Sequence, residues 1–344
     1  MIETQERIKG FSKRSIVNSL NNRRFKLVLF PTEQCNFRCV YCYEDFEVGK
    51  MSKSLVDAVK MFVAQKVPNL DYFALSWFGG EPLLTKDILF EISEYTQKLA
   101  AKHNCKLVGN LTTNGLLLDV KTLRRLVELQ QNRFQISIDG DKDFHDQTRI
   151  TKSGRGSFDR IWARLLDAAN TDLNFKITLR VHITDVNQES VLDFCQRYDE
   201  TLASDGRFKL FFKAIENLGG DNVESIDKLV ERRTARSFAS ELTQRYLSVS
   251  ANDNESDNYI CYASKPNSIA IRADGTLNKC TVALNDEQNN IGKINEDGSL
   301  SVNNQRYSSW IKGFSTLDHW QLGCPYGYMK HHTSVGDITI KKIG

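Results

Sequence analysis

The chain has 344 residues, of which 40% are hydrophobic and 26% are charged, and its formal net charge is +3. This length accommodates one large α/β domain with a small appended domain, and the composition is typical of a globular protein. The small net charge gives no reason to expect nucleic-acid binding, and the absence of an 18-residue apolar run predicts no membrane span.

The N-terminal segment has no apolar signal-peptide core. We therefore expect a cytoplasmic protein, in which the eight cysteines stay reduced or bind metal. Residues 1–24 are predicted to form a basic helical extension.

From residue 25 onward, short apolar runs alternate with amphipathic stretches. Strands are predicted at 25–30, 73–78, 106–112, 134–138, 175–183 and 208–214. Helices are predicted near 53–66, 86–102, 119–130, 157–170 and 188–202. Ser54 is the predicted cap of the first helix, and Thr85 or Asp87 of the second. This alternation predicts a parallel sheet with right-handed crossovers over residues 25–222, with fewer units than a closed eight-stranded barrel.

Three cysteines follow the first predicted strand with the spacing C-x3-C-x2-C, namely Cys35, Cys39 and Cys42. Three thiolates can hold three corners of a four-iron, four-sulfur cube, which leaves one iron open to a substrate. Zinc sites favour paired C-x2-C modules, and a disulfide cannot use three thiols evenly. The spacing therefore favours an iron–sulfur cluster over zinc, a disulfide or three structural cysteines.

The composition changes after residue 222. Residues 223–257 are predicted to form a connecting helix and a polar loop, and residues 258–344 a small domain. A hairpin is predicted to turn at Asp274 and Gly275. This region contains three further cysteines, Cys261, Cys280 and Cys324.

The run from Cys35 to Cys42, with Tyr41 before the last cysteine, resembles the signature of radical S-adenosylmethionine (SAM) enzymes. Its continuation through Glu44 resembles the peptide- and protein-modifying branch of that superfamily. Four further segments follow in the family's order, at 77–82, 112–115, 137–140 and 145–149. The resemblance implies a partial (β/α)6 radical SAM barrel with a small C-terminal α+β domain for an auxiliary iron–sulfur cluster.

In this resemblance, the open iron of a [4Fe-4S] cluster chelates SAM. SAM contacts are implied for Tyr41, Gly79, Gly80, Glu81, Asn114, Ser137 and Arg149. Asp139 is the implied catalytic residue, which holds a substrate N–H or takes a proton. The alternatives are ordinary turns and, for Arg149, a surface ion pair. His182 stands where relatives often have Asn, so we expect a satisfied barrel-lining side chain, and we expect His145 in a loop.

Cys261, Cys280 and Cys324 resemble the cysteines of the auxiliary-cluster domains called SPASM and twitch. The full SPASM pattern has enough cysteines for two extra clusters, whereas three cysteines support only one. Its fourth iron is expected to be open or held by Asp257, His331 or His332. The alternative is that these cysteines only pack the small domain.

The resemblance to peptide maturases implies that the substrate is a ribosomally made precursor peptide and that the modification is a side-chain cross-link. A flavodoxin or ferredoxin is the implied electron donor. The 24 residues before the first strand leave no room for a winged-helix recognition domain, so barrel loops, the small domain or a separate protein would bind the leader. The alternatives are a peptide Cα epimerase, a formylglycine-type maturase, a small-molecule radical SAM dehydrogenase and a non-enzymatic iron–sulfur protein.

Overall fold

The computed structural model describes residues 7–215, 234–247 and 259–335. Its strands are β1 Arg7–Ile8, β2 Phe11–Ser12, β3 Arg24–Leu29, β4 Tyr72–Trp77, β5 Lys106–Thr113, β6 Arg133–Ile138, β7 Lys176–Ile183, β8 Phe208–Ala214, β9 Ser268–Ile271, β10 Thr276–Asn278, β11 Asn290–Ile294 and β12 Leu300–Val302. Its α-helices are α1 Lys13–Leu20, α2 Lys53–Lys66, α3 Lys86–Lys102, α4 Val120–Glu128, α5 Lys142–Thr148, α6 Phe158–Ala169, α7 Gln188–Thr201, α8 Ala235–Leu247, α9 Asn304–Ile311, α10 Gly313–Thr316, α11 His319–Gly323 and α12 Pro325–Val335.

Strands β3 to β8 are parallel neighbours in chain order. They are the six predicted strands, each confirmed to within one residue at either end. Helices connect successive strands, as the alternating pattern requires. Among the described strands, β8 and β12 form two separate edges of the large sheet, so the sheet remains open as a partial barrel.

The sheet continues beyond β3 into the C-terminal part of the chain. β9 pairs with β3 in parallel, with Ser268 opposite Lys26 and Ile271 opposite Leu29. β10, β11 and β12 follow as antiparallel strands. The predicted turn at Gly275 is confirmed, because this glycine has a φ of +89° between β9 and β10. The proposed division at 223–257 thus separates two segments of chain that share one sheet.

Two local expectations were wrong, and a third was confirmed only in position. Ser52, not Ser54, caps α2, because its hydroxyl accepts a hydrogen bond from the Leu55 N–H. His145 lies in α5 rather than in a loop, since residues 142–148 form a short helix that sequence periodicity did not reveal. Thr85 precedes α3 as predicted, but its side chain makes no capping hydrogen bond there.

Alternate strand residues divide the barrel into an apolar outer layer and a polar interior. Outward side chains such as Leu75, Trp77 and Ile136 are almost completely buried in the layer between the sheet and its helices. The inward positions include a row of register partners, Ser76, Asn110, Arg133 and Lys176. This alternation leaves the barrel interior available for polar ligands.

The remaining described segments join the two ends of the chain. The β1–β2 hairpin packs on the C-terminal helices, where the Phe11 ring stacks on His319 at 4.3 Å between centroids. α8 lies within the predicted connecting helix, and residues 216–233 and 248–258 lie outside the described residues. Among the described helices, none combines the length and apolar character needed to cross a membrane.

Candidate cluster and SAM site

The cysteine loop begins where β3 ends, at the carboxyl end of the parallel strands. Hydrogen bonds from the Arg38 N–H to the Ile150 carbonyl (2.8 Å) and from the Val40 N–H to the Thr148 carbonyl (3.0 Å) hold it against residues 148–151. The loop thus has a fixed main-chain path through its three cysteines. Chain order alone could not show which segment supports it.

The thiols of Cys35, Cys39 and Cys42 lie close together within this loop. Burial, together with the negative charge of nearby Cys39, raises the pKa of Cys35 and of Cys42 to about 12. Without a metal, these groups stay protonated. A thiophilic metal would bind them as thiolates and release the protons.

Gly79 and Gly80 pack directly against the residues that precede Cys35. A Cβ on Gly79 would lie 2.3 Å from the Thr32 carbonyl oxygen, and one on Gly80 would lie 2.4 Å from the Gln34 carbonyl oxygen. Gly79 also has a φ of +107°. These glycines therefore allow β4 to end against the cysteine loop.

Glu81 is completely buried and connects the ends of β4 and β5. Its carboxylate accepts hydrogen bonds from the Leu83 N–H (2.8 Å), the Thr113 hydroxyl (2.9 Å) and the Asn114 N–H (2.8 Å). The Asn114 amide donates to the Asn36 side chain at 2.7 Å. The turn after β5 is thus fixed beside the cysteine loop.

Tyr41, Asp139, Arg149 and His182 form a buried network on the other side of the loop. The Tyr41 hydroxyl donates to the Asp139 carboxylate at 2.7 Å and lies 3.0 Å from His182 Nδ1, while Arg149 Nη1 donates to it at 2.8 Å. The Thr148 hydroxyl also donates to Asp139, at 2.7 Å. The structure therefore brings together three predicted site residues, Tyr41, Asp139 and Arg149. The first and the last of these are 108 positions apart in the sequence.

Sequence reasoning missed the parts played by Thr148, His182 and Asn187. The Asn187 amide donates to the main-chain carbonyls of Asp139 and His182, at 2.8 and 2.9 Å. Strand register was the available signal, since Ile138 pairs with Val181 and the next residues are Asp139 and His182. Ser137 lies one position earlier, half-buried and in register with Arg180, and it is not joined to this network by any described hydrogen bond.

Two observations show that these residues fit a cluster carrying SAM. Three clustered thiols are the donor set of a cube with one open iron. Arg149 is 7% exposed and lies near Cys39, and its Nε finds no hydrogen-bond partner among the described residues. A buried guanidinium donor without a partner is costly, and a ligand carboxylate satisfies it.

A second cysteine trio lies at the opposite end of the barrel strands. Cys280 follows β10, which runs antiparallel to β9, and the Cys261 N–H donates to the Leu322 carbonyl at 2.8 Å, two residues before Cys324. Burial, together with the negative charges of nearby Cys280 and Cys324, raises the pKa of Cys261 to about 11. The trio lies toward the amino ends of β3 and β9, because Cys280 comes two residues after Asn278, which pairs with Ala270 of β9.

The two trios are connected through Tyr43. This residue follows Cys42, and its hydroxyl donates to the Thr281 carbonyl, beside Cys280, at 3.4 Å. The Tyr262 hydroxyl lies 2.8 Å from the Thr281 hydroxyl. Tyr262, which follows Cys261, therefore contacts the same residue as Tyr43.

Besides the two trios, the candidate metal ligands are His331, His332 and Asp257, and the remaining cysteines are Cys105 and Cys195. His331 and His332 pack against the Trp320 ring, with centroid distances of 5.0 and 5.8 Å. Asp257 lies outside the described residues. Cys105 and Cys195 are buried thiols. Within the described parts of the chain, no three His, Cys, Asp or Glu side chains are grouped to hold a single metal ion; a cube instead spreads its thiolates over separate irons.

A cavity of about 660 Å³ occupies the barrel interior between the two trios. Its lining includes Tyr43 near the first trio and Cys261, Cys280 and Cys324 of the second. Polar strand residues such as Asn110 line its wall. A ligand in this cavity would therefore lie within reach of both cysteine loops.

Residues 29–198 match the family model of the radical SAM superfamily. The chain belongs to this superfamily. The molybdenum cofactor biosynthesis protein moc-5 of Caenorhabditis elegans is 32% identical over 170 residues, which cover 47% of this chain and 26% of that protein. The cysteine-type anaerobic sulfatase-maturating enzyme of Clostridium perfringens (strain 13 / Type A) is 30% identical over 138 residues, covering 37% of this chain and 36% of that protein.

Among solved structures, native anSMEcpe with bound AdoMet and Kp18Cys peptide has a similar fold. Its TM-score is 0.63 at 18% identity, and the match covers 87% of this chain and 88% of that one. The radical SAM fold expected from the sequence is thereby confirmed. This chain spans only about a quarter to a third of the length of the two curated relatives above.

Proposed function

We propose that this protein is a radical SAM enzyme that modifies a ribosomally made precursor peptide. The observation that carries the proposal is the cysteine loop at the carboxyl end of β3, with the partnerless Arg149 Nε beside Cys39. When bound, a reduced [4Fe-4S] cluster with SAM supplies a 5′-deoxyadenosyl radical, which is strong enough to remove hydrogen from an unactivated carbon.

The residues of this chain hold and orient that cofactor. Cys35, Cys39 and Cys42 would bind three irons, and Arg149 would bind the SAM carboxylate. Asp139 accepts the Tyr41 hydroxyl hydrogen bond and so fixes the Tyr41 ring, which we assign to the adenine side. Glu81 fixes the turn at Asn114 beside the cluster. The polar contacts implied by the resemblance for Gly79, Gly80 and Ser137 remain predictions.

Peptide chemistry is favoured by the similarity to the sulfatase-maturating enzyme and by a cavity of about 660 Å³, which has room for several side chains. The modification we propose is a side-chain cross-link, with a flavodoxin or ferredoxin as electron donor and, where needed, a separate leader-binding protein. Similarity to moc-5 supports a second candidate, chemistry on a small molecule. The substrate experiment below separates the two.

The first experiment tests the radical chemistry. Anaerobically reconstituted protein, given dithionite and SAM, should release 5′-deoxyadenosine. Changing Cys35, Cys39 and Cys42 to Ala should abolish the release. The matched control changes Cys105 and Cys195 to Ala, because these are buried cysteines elsewhere in the barrel. Full cleavage in the triple variant would reject the assignment.

The second experiment tests the substrate. Co-expression with a short peptide encoded nearby should leave that peptide lighter by two hydrogen atoms per cross-link. Unchanged mass with deuterium gained from heavy water would instead show epimerisation. A product formed from a small molecule, without any peptide, would reject the peptide assignment.

We also propose that Cys261, Cys280 and Cys324 hold one auxiliary [4Fe-4S] cluster. The protein should then carry about eight irons, four at each trio. Changing these three cysteines to Ala should remove about half of the iron and abolish peptide modification, while SAM cleavage persists at the first trio. If the variant keeps its full iron content, these cysteines are structural.

A further inference from the structure

We propose that the barrel cavity binds an anionic, carboxylate-bearing segment of the substrate. This inference rests on the proposed peptide function and specifies the kind of peptide. The cavity is lined by five basic side chains and, among the described residues, by no aspartate or glutamate. The five are Lys26, Arg133, Lys176, Arg180 and Lys209.

Strand register places four of these cations on three adjacent strands. Arg133 on β6 pairs with Lys176 on β7, and Thr178 pairs with Lys209 on β8. Arg180 lies two residues beyond Thr178 on the same face of β7. The positive charge is therefore concentrated on one wall of the cavity.

The cations on this wall have no anionic partner within the described chain. No ion pair involves Arg133, Lys176, Arg180 or Lys209 among the described residues, and Arg180 Nε is buried without a hydrogen-bond partner. Elsewhere in the protein, basic side chains do form ion pairs with carboxylates, as Arg207 does with Asp205. Cations on neighbouring strands repel one another when no anion lies between them, and a bound anion would relieve both that repulsion and the unsatisfied Arg180 donor.

The second cysteine trio does not account for all of this charge. Three thiolates supply at most three negative charges, and a bound iron–sulfur core would offset much of that with its own positive charge. Among the five cations that line the cavity, Lys26 is near enough to this trio for its charge to lower the pKa of Cys261. The four cations on β6, β7 and β8 remain for another anion. Carboxylate side chains of a peptide suit the guanidinium and ammonium donors of these cations.

The test measures binding to the anaerobically reconstituted holoenzyme at low salt. The probe is a fluorescein-labelled peptide with three consecutive glutamates, compared by anisotropy with the same peptide carrying glutamines. We expect the glutamate peptide to bind at least tenfold more tightly and to weaken as salt is added. Arg180→Gln and Lys209→Gln should each reduce its affinity roughly tenfold, the loss of one charge-assisted contact. The matched control is Lys106→Gln, since Lys106 begins β5 outside this cavity and should leave the affinity unchanged.

Three results would overturn the proposal. The first is equal affinity for the two peptides. The second is loss of iron in Lys209→Gln with unchanged affinity for the glutamate peptide, which would assign the cations to the cysteine trio. The third is displacement of the peptide by pyrophosphate at concentrations far below those of free glutarate, which would identify a phosphate site. SAM cleavage without peptide is measured separately. Its absence, with glutamate selectivity intact, would reject the radical SAM activity and leave this anion site in place.

Discussion

Asp139 shows how a buried carboxylate is kept ionised in this protein. Burial alone would raise its pKa, but the hydrogen bond with His182 and the charge of Arg149 hold that pKa below its usual range. The hydroxyl groups of Tyr41 and Thr148 complete its partners. Both carboxylate oxygens of Asp139 accept hydrogen bonds, and only 1% of its surface is exposed. The structure therefore favours a role for Asp139 in positioning Tyr41. Its catalytic role remains a prediction.

The buried His145 leads to a prediction of how the stability of the protein depends on pH. Burial lowers its pKa to about 4, whereas an unfolded histidine titrates near about 6.5. Between these values the unfolded chain binds a proton that the folded protein does not, so stability should fall as the pH drops from about 6.5 to about 4. His145→Gln should reduce the slope of the unfolding free energy against pH by about 1.4 kcal/mol per unit in this window. Urea titrations at several pH values measure this slope. Identical slopes for the original protein and the His145→Gln variant would contradict the lowered pKa of His145.

The sequence predicted individual site residues better than their partners. Cysteine spacing and short motifs identified Cys35, Glu81 and Arg149, because those signals are local in the chain. The hydrogen bonds of Tyr41 with Asp139 and His182 depend on strand register and loop path. The spacing of motifs in the sequence specifies neither the strand register nor the loop path. The buried network is therefore apparent only in the structure.

At the level of elements, the contact between the end of β4 and the cysteine loop gives a second prediction. Gly79→Ala places a Cβ against the Thr32 carbonyl and also forces a positive φ on alanine. We expect about 1–3 kcal/mol of destabilisation and a shifted cysteine loop that retains less iron at the first trio. Iron content and thermal unfolding measure these effects.

The matched control for that variant is Gly206→Ala. Gly206 has open space where a Cβ would lie, and its φ is outside the left-handed region. This substitution should leave iron content unchanged and alter stability by less than about 1 kcal/mol, with a gain favoured because alanine restricts the unfolded chain. Equal iron loss in both variants would show that the close packing of Gly79 is unimportant.

Periodicity predicted the long elements well and the short, non-local ones poorly. The six barrel strands and their connecting helices have strong patterns within 6 to 17 residues, which the sequence displays directly. β9 has four residues, and its pairing with β3 joins positions about 240 residues apart. No local pattern specifies such a partner. α5 was missed because seven residues are too few for a clear helical period.

At the scale of the whole molecule, one large buried cluster and one ten-stranded sheet join the barrel to the C-terminal strands. Trp310 of α9 belongs to the same buried cluster as the barrel strands. The nearly buried Arg272 donates to Glu33, 3.0 Å from Nε to Oε1, and so connects the chain after β9 to the residues before Cys35. The barrel and the C-terminal strands are therefore expected to unfold together.

The third prediction follows from this connection. Denaturation followed by Trp310 fluorescence, in a variant with the other three tryptophans replaced by Phe, should coincide with denaturation followed by circular dichroism. Arg272→Met should lower both midpoints together, with a cost of about 3–5 kcal/mol, because it leaves the Glu33 charge buried without its partner. An earlier transition at Trp310 would show that the C-terminal strands unfold independently.

The pairing of β9 with β3 also has a consequence for biosynthesis. A ribosome adding about 5–20 residues per second makes β3 some 12 to 50 s before it makes β9. Throughout that interval, the exposed edge of the first barrel strand presents unpaired main-chain groups to other nascent chains. The cysteine loop next to this edge is synthesised in the same early period, so its three thiols and the open strand edge are exposed together until β9 has been made and covers the edge.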